Sequence, residues 1–321
     1  MDLQTMTHTL RRLGLLAALA VLGACSTPGG LQMQQPAASA APVKEPRLGQ
    51  AGKDVIWLPT PDSLVTRMLT LARVTPNDYV VDLGAGDGKI VIAAAQQFKA
   101  RGLGIEYNPD LVVVAQRRAQ EAGVAHLARF VRGDIFASDF RDATVVTMYL
   151  LPELNLRLRP TLLAMKPGTR IVTHYFTMAA WEPDETSTVQ SRVGYLWIIP
   201  ANAGGTWRLN FPLQGTAAVD TEMKIAQTFQ KIEGSVAWPG VLNTLRAPRL
   251  DGPRIMFSLT DPLGRVREFS GTIDGNRMQG RVSGSGGDAA FTAVRIGPAP
   301  PIGGSAPPTQ AELDAVSLDR M

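Results

Sequence analysis

Residues 80–90 read "VVDLGAGDGKI". An apolar run ends in Gly84, Gly86 and Gly88, with Asp82 two residues before the first glycine and Asp87 inside the turn. Lacking a Cβ, glycine lets the chain reverse sharply and lets a ligand lie against the main chain. Where a buried strand turns into a helix, an open α/β sheet offers its ligand site at the carboxyl ends of the strands. A dinucleotide fingerprint, G-x-G-x-x-G, would put glycine at 89, and Lys89 stands there instead. The carboxylate of Asp82 suits a ligand that brings positive charge to the turn and would repel a diphosphate.

Outward from this turn the apolar period alternates between 2 and 3.6, the pattern of a doubly wound, mostly parallel α/β sheet. Thr60 is placed to cap a helix starting at Pro61, with Leu64, Val65, Met68 and Leu71 on one face. Strands are expected at 79–83, 102–106, 128–132, 144–150 and 169–176. Helices are expected over 88–98, from Asn108-Pro109 to about 122, and over "LNLRLRPTLLAM", the last strained or kinked at Pro160. Residues 187–200 read as an antiparallel edge hairpin.

After "ANAGG" (201–205) the pattern changes to short strands separated by Gly, Asp-Gly and Pro-Gly. Ile255, Phe257 and Leu259 alternate, as do Met278, Gly280 and Val282, and Asp274-Gly275-Asn276 makes a tight hairpin turn. This predicts a small all-β meander or barrel-like domain over 201–296, following an α/β domain over 54–200. The Pro/Gly-rich tail, 297–321, reads as disordered apart from a helical turn in "AELDAVSLDRM".

"VVDLGAGDG" resembles motif I of class I S-adenosylmethionine (SAM) methyltransferases, and the resemblance continues in order. Glu106, in "GIEYNPD", falls where that family holds the ribose hydroxyls. In "RGDIF", Asp134 falls where the adenine amino group is accepted and Ile135 where the ring is packed. "VVTMYLLP" (145–152) falls at the methyl-acceptor site, and "MKPGTRIVTHYF" is similar to the family's fifth-strand entry. The resemblance implies SAM as cofactor, with Asp82, Gly84, Gly86, Gly88, Glu106, Asp134 and Ile135 as cofactor-binding residues and Tyr149 and Pro152 at the catalytic position. "PTP" (59–61), "DLGAGDGKIVIAAA" and "TMYLLPELNLRLRPTLL" are similar to small bacterial methyltransferases related to the mitochondrial lysine methyltransferases that modify part of the ATP synthase. The Asn/Asp-Pro-Pro-Tyr motif of amino-group DNA methyltransferases is replaced by Met148-Tyr149-Leu150-Leu151-Pro152, which disfavours base amines and leaves the acceptor open, a protein lysine or other amine among the candidates.

The first residues form a different unit. Arg11-Arg12 precede a short apolar run, Leu13–Leu22, and Leu22-Gly23-Ala24-Cys25 resembles the lipobox of bacterial lipoproteins. The expectation is a signal peptide over 1–24, lipidation of Cys25, a flexible tether over 25–53, and an anchor on the periplasmic face of the outer membrane. Unused, the leader would leave the protein in the cytoplasm. SAM is a cytoplasmic compound, so this expectation conflicts with the cofactor. A periplasmic lipoprotein that binds a nucleoside-like ligand without catalysis is the alternative, and the charged set Asp82, Glu106 and Asp134 counts against it.

Composition narrows the field further. The chain of 321 residues carries 32 Lys and Arg against 28 Asp and Glu, a formal charge of +4, without the basic and aromatic interleaving of nucleic-acid binders, and no nucleic-acid partner is expected. A single cysteine excludes an internal disulfide, the expected all-β domain has no histidine or cysteine to make a metal site, and no metal is expected.

Overall fold

The protein is described here by a computed structural model covering residues 45–49, 57–213, 218–238, 241–285 and 287–318. The expected leader, Cys25 and most of the expected tether lie outside these residues. The first helix, α1 (Asp62–Leu71), buries Leu64, Val65, Met68, Leu69 and Leu71. Six elements follow: β1 (Tyr79–Leu83), α2 (Lys89–Phe98), β2 (Arg101–Glu106), α3 (Pro109–Glu121), β3 (Ala128–Arg132) and β4 (Val145–Met148). Next come α4 (Pro152–Leu163), β5 (Arg170–His174), β6 (Glu185–Val189) and β7 (Arg192–Ile198).

These strands form one sheet in the order β3-β2-β1-β4-β5-β7-β6, with β7 antiparallel between β5 and β6. The expected doubly wound sheet and edge hairpin are both present. Strand order reverses beside β1, which pairs in parallel with β2 on one side and β4 on the other. One correction concerns a local signal. Pro61, not Thr60, occupies the cap of α1, and no side chain caps that end. As expected, α4 runs through Pro160 and continues past it to Leu163.

The second sheet has nine antiparallel strands: β8 (Gly205–Phe211), β9 (Val219–Thr228), β10 (Lys231–Trp238), β11 (Val241–Thr244), β12 (Arg246–Asp251), β13 (Arg254–Thr260), β14 (Val266–Asp274), β15 (Arg277–Gly284) and β16 (Ala289–Ile296). Their order, β11-β10-β9-β8-β16-β15-β14-β13-β12, places β11 and β12 at opposite edges, and Leu245 alone joins them in the chain. The sheet therefore curls into a nearly closed barrel, and Leu245 N–H donates across to the Gly234 carbonyl at 2.8 Å. Neither β11 nor β12 stood out in the sequence, because Pro248 and a register shift between Arg246 and Arg249 break the alternation of β12. Inside the barrel pack Trp207, Phe211, Met223, Phe257, Phe269 and Phe291. Gly280 lies opposite both Gly271 and Phe291, and a Cβ on either glycine would stand 2.8 Å from the Phe291 ring.

The β9–β10 turn drives Phe229 into the first sheet's core, its ring parallel to Trp181 at 5.7 Å between centroids. Lys231 pairs with Glu182 at 2.8 Å beside this contact. The tail departs from the expected disorder. Gly303 exchanges backbone hydrogen bonds with Gln227 and Phe229, and α5 (Gln310–Leu318) lies on α4, where Glu312 pairs with buried Arg159 at 3.1 Å. The C-terminal part of the expected tether is held as well, for Glu45 pairs with Arg117 and Arg118 of α3.

Candidate active site

The carboxyl ends of β1 to β5 and the segment ahead of α1 surround a cavity of about 290 Å³. This is the crevice at which strand order reverses, the usual ligand position in an open parallel sheet. Asp82, Gly84 and Gly86 reach it from β1, Glu106 from β2, Asp134 and Ile135 from β3, and Tyr149 from β4. Leu150, Leu151, Leu154 and Phe176 complete the wall on the β4–β5 side, and Trp57 to Thr60 run along another side.

The turn after β1 is held by the neighbouring strand. Gly84 and Ala85 N–H both donate to the Ile105 carbonyl, at 2.9 and 3.1 Å. Glu106 then accepts from Gly86 N–H through Oε2 at 2.9 Å and from Asn108 N–H through Oε1 at 2.8 Å. One carboxylate thus fixes the glycine turn and the entry to α3 while it faces the cavity. Gly84 and Gly86 have φ of +79° and +54°, a region open to glycine at little cost. The Trp57 indole occupies the space a side chain at 86 would need, with Nε1 2.5 Å from the position of a Cβ.

Asp82 is 3% exposed, and opposite it in register Thr147 donates its hydroxyl at 2.6 Å. Burial, reinforced by the nearby charges of Glu106 and Asp87, raises the Asp82 pKa to about 7 against the hydrogen bond from Thr147. A cation bound beside it would restore the charged form. Asp134 is tied into its own loop: Oδ1 accepts from Phe136 N–H at 3.0 Å, and its carbonyl takes Ser138 N–H at 2.9 Å.

Gly88, Pro152 and Asp87 are placed differently from what their sequence positions suggest. Gly88 does not line the cavity. It caps α2 at φ +82°, and a Cβ there would stand 2.6 Å from Phe130 and 2.8 Å from Ala115, so its role is close packing of helix on sheet. Pro152 is also off the wall; as the first residue of α4 it ends the Tyr149–Leu151 segment and starts the helix with a preset φ. Asp87 reads in sequence as an acid offsetting a helix dipole, yet it lies on the cavity wall and its buried carboxylate pairs with Arg118, which also pairs with Glu45. Asp110, read the same way, does sit in the first turn of α3, where its N–H donates to the Asn108 cap at 2.9 Å.

The cavity has two chemically distinct sides. Its charged lining groups, Asp82, Asp87, Lys89, Glu106 and Asp134, all belong to the β1–β3 side. The β4–β5 side offers Tyr149 among leucines and Phe176. Burial raises the Tyr149 pKa, so the phenol keeps its proton at neutral pH. Among the described residues no group of three potential metal ligands forms.

This arrangement has relatives. The family model of the ANTKMT methyltransferase domain matches residues 82–185. A protein-lysine N-methyltransferase of Saccharolobus islandicus is 40% identical over 151 residues, which is 45% of this chain and 94% of the relative. The chain belongs to the ANTKMT methyltransferase family. It is a SAM-dependent methyltransferase. The mouse adenine nucleotide translocase lysine N-methyltransferase is 33% identical over 142 residues, covering 44% of this chain and 61% of its own length. A solved RNA methyltransferase from Salinibacter ruber with S-adenosyl-L-homocysteine is 51% identical, covering 44% of this chain and 94% of that one, with a TM-score of 0.44. The family model's match ends at residue 185, before the first strand of the barrel at Gly205.

The residues present fit SAM on their own chemistry. Asp82 is a buried acid whose pKa a cation would pull down, Glu106 presents a fixed carboxylate, and the glycine turn exposes backbone. Sequence reasoning missed Trp57, Thr147, Leu154 and Phe176. Thr147 could have been found as the strand neighbour of an acid. Trp57 and Phe176 reach the cavity through tertiary packing that no local pattern encodes.

Proposed function

We propose that this methyltransferase modifies the ε-amino group of a protein lysine, with Asp82, Glu106, Asp134 and Ile135 holding SAM and Tyr149 facing the acceptor. The observation that carries the reading is the division of the cavity, which puts every charged lining group on one side and an apolar wall around one phenol on the other. The protein-lysine methyltransferases among its relatives support it. SAM, when bound, supplies an already activated methyl group.

The chain's own residues prepare the acceptor. A lysine side chain entering along Leu150, Leu151, Leu154 and Phe176 leaves water, and desolvation favours the neutral amine with its free lone pair. Tyr149, held as a neutral phenol, accepts an N–H from that amine and aims the lone pair. The amine's proton passes to water on entry, since no carboxylate lines this side. Holding a nucleophile in line supplies on the order of 7 to 11 kcal/mol in well-oriented cases, enough to make positioning the main contribution.

The test is incubation of the full chain with tritiated SAM and either poly-L-lysine or poly-L-arginine, followed by hydrolysis and amino-acid analysis. Label in methyl-lysine supports the reading. Label in methyl-arginine, or none above an Asp82→Ala control, contradicts it. Anchoring through Cys25 is proposed on the support of Leu22-Gly23-Ala24-Cys25. Palmitate label incorporated by the wild type in a bacterial host and lost in Cys25→Ser would bear it out, and equal label in both would refute it.

A further inference from the structure

His174 ends β5 directly behind the acceptor side and is absent from the cavity wall. It is 1% exposed, and its two faces of contact lead to opposite sides of the site. Its Nδ1 lies 3.2 Å from the Thr60 hydroxyl, 114 residues away in the chain. Its ring lies 3.9 Å from that of Tyr149, inclined by 34°. Its Nε2 finds no hydrogen-bond partner among the described residues. A buried imidazole that gives up one of its two polar contacts is being held for something other than hydrogen-bond count.

Thr60 belongs to the segment whose Trp57 lies on Gly86 of the glycine turn. That segment is fixed at its other end too, for Gly49 N–H donates to the Trp57 carbonyl at 3.0 Å, and Glu45 pairs with Arg117 and Arg118. Arg118 in turn holds Asp87 at the cavity. The chain ahead of α1 thus crosses the cofactor side and is pinned at Thr60 to a ring that also backs Tyr149.

We propose that His174 is a positioning residue that ties the cofactor-covering segment Trp57–Thr60 to the acceptor-side ring of Tyr149. The link rests on the reading of Tyr149 as the acceptor residue. Through Nδ1 it fixes where the segment lies over the cofactor, and through its face it fixes the plane of the phenol. Burial, together with the charge of Arg192, lowers its pKa to about 4, so the ring is neutral in working conditions and adds no charge behind the amine. Thr60 thus turns its hydroxyl to the site, while Pro61, which has no side-chain acceptor, stands at the cap of α1.

The two contacts can be separated. His174→Phe keeps a ring against Tyr149 and loses the atom facing Thr60. His174→Asn keeps a polar atom where Nδ1 stands and loses the ring. Thr60→Val removes the hydroxyl and keeps the shape of the side chain. Affinity for S-adenosylhomocysteine by calorimetry and hydrogen exchange of the complex at 57–60 and 149–151 are the readouts, all on the full chain. His174→Phe and Thr60→Val should each weaken binding by about 3- to 10-fold, the range of one hydrogen bond. The double variant should be no weaker than the worse single by more than about twofold, since both break one contact. His174→Asn should keep the affinity and speed exchange at 149–151, whereas His174→Phe should speed it at 57–60. Wild-type affinity in His174→Phe, losses that multiply in the double variant, or the same exchange pattern in both His174 variants would overturn the link. Because binding and exchange need no acceptor, failure of the lysine reading shows separately, in the methyl-incorporation assay.

Discussion

The nine-stranded sheet turns Trp207, Phe211, Phe257, Phe269 and Phe291 inward until its interior is filled, whereas the seven-stranded sheet leaves five strand ends around an open cavity. Their buried charges differ in the same way. In the barrel, fully buried Arg267 has Asp261 at 3.8 Å and donates to the Gly287 carbonyl at 2.8 Å. In the crevice, Asp82 has a neutral hydroxyl as hydrogen-bond partner and two acids as charged neighbours. A buried charge is costly unless it is paired. The barrel meets that demand from its own residues, and the crevice leaves it to a cationic ligand. The cavity lies at the first sheet, and the second sends Phe229 into that sheet's core.

The largest expected effect breaks the support without touching the site. Phe229→Ala empties the contact with Trp181 and should cost about 3 to 5 kcal/mol of stability, read by denaturant unfolding. SAM affinity at a temperature where the variant stays folded should remain within about twofold, because Phe229 is not part of the cavity wall. A large affinity loss would make the barrel part of the site. Next comes Glu106→Ala, which removes the acceptor of two backbone N–H groups and the expected ribose contact. Hydrogen bonds to a charged group are worth about 1.5 to 3 kcal/mol each, so calorimetry should find SAM binding weaker by roughly 100-fold.

A smaller effect is expected at the acceptor side. Tyr149→Phe should lower turnover on poly-L-lysine about 10-fold, about the 1.4 kcal/mol of a single contact, and leave SAM affinity unchanged. Unchanged turnover would remove the phenol from the mechanism. The mildest test is pH. Asp82, raised to about 7, is protonated below that value, so SAM affinity should increase several-fold from pH 6 to pH 8, and the increase should vanish in Asp82→Asn. Stability of the unliganded protein carries the opposite sign. A folded-state pKa raised above the unfolded value near 3.9 stabilises at low pH, and that contribution is lost as pH rises toward about 7. His174, depressed to about 4, contributes stability that is lost as pH falls from about 6.5 toward 4, so the two variants must be compared with wild type separately.

The first sheet was legible because each strand and helix carries its own period, and because Asp82, Glu106 and Asp134 sit at fixed offsets from strand ends. What stayed hidden was contact at a distance. Thr60 has the look of a helix cap, and only its partner 114 residues away redirects it to His174. Gly88 belongs to the motif by spacing and to Phe130 and Ala115 by packing. The polar, Pro-rich tail gave no apolar period, yet Glu312 finds an arginine on α4 and α5 forms there. In the barrel, β12 was lost to a proline and a bulge, the features that let the sheet curl toward closure.

Calorimetric titration of SAM into the full chain, beside Asp82→Ala and Glu106→Ala, tests the central claim most directly. Micromolar binding by the wild type, lost in both variants, is the expected result. Wild-type binding that survives in both variants would contradict the claim that these two carboxylates make the cofactor site.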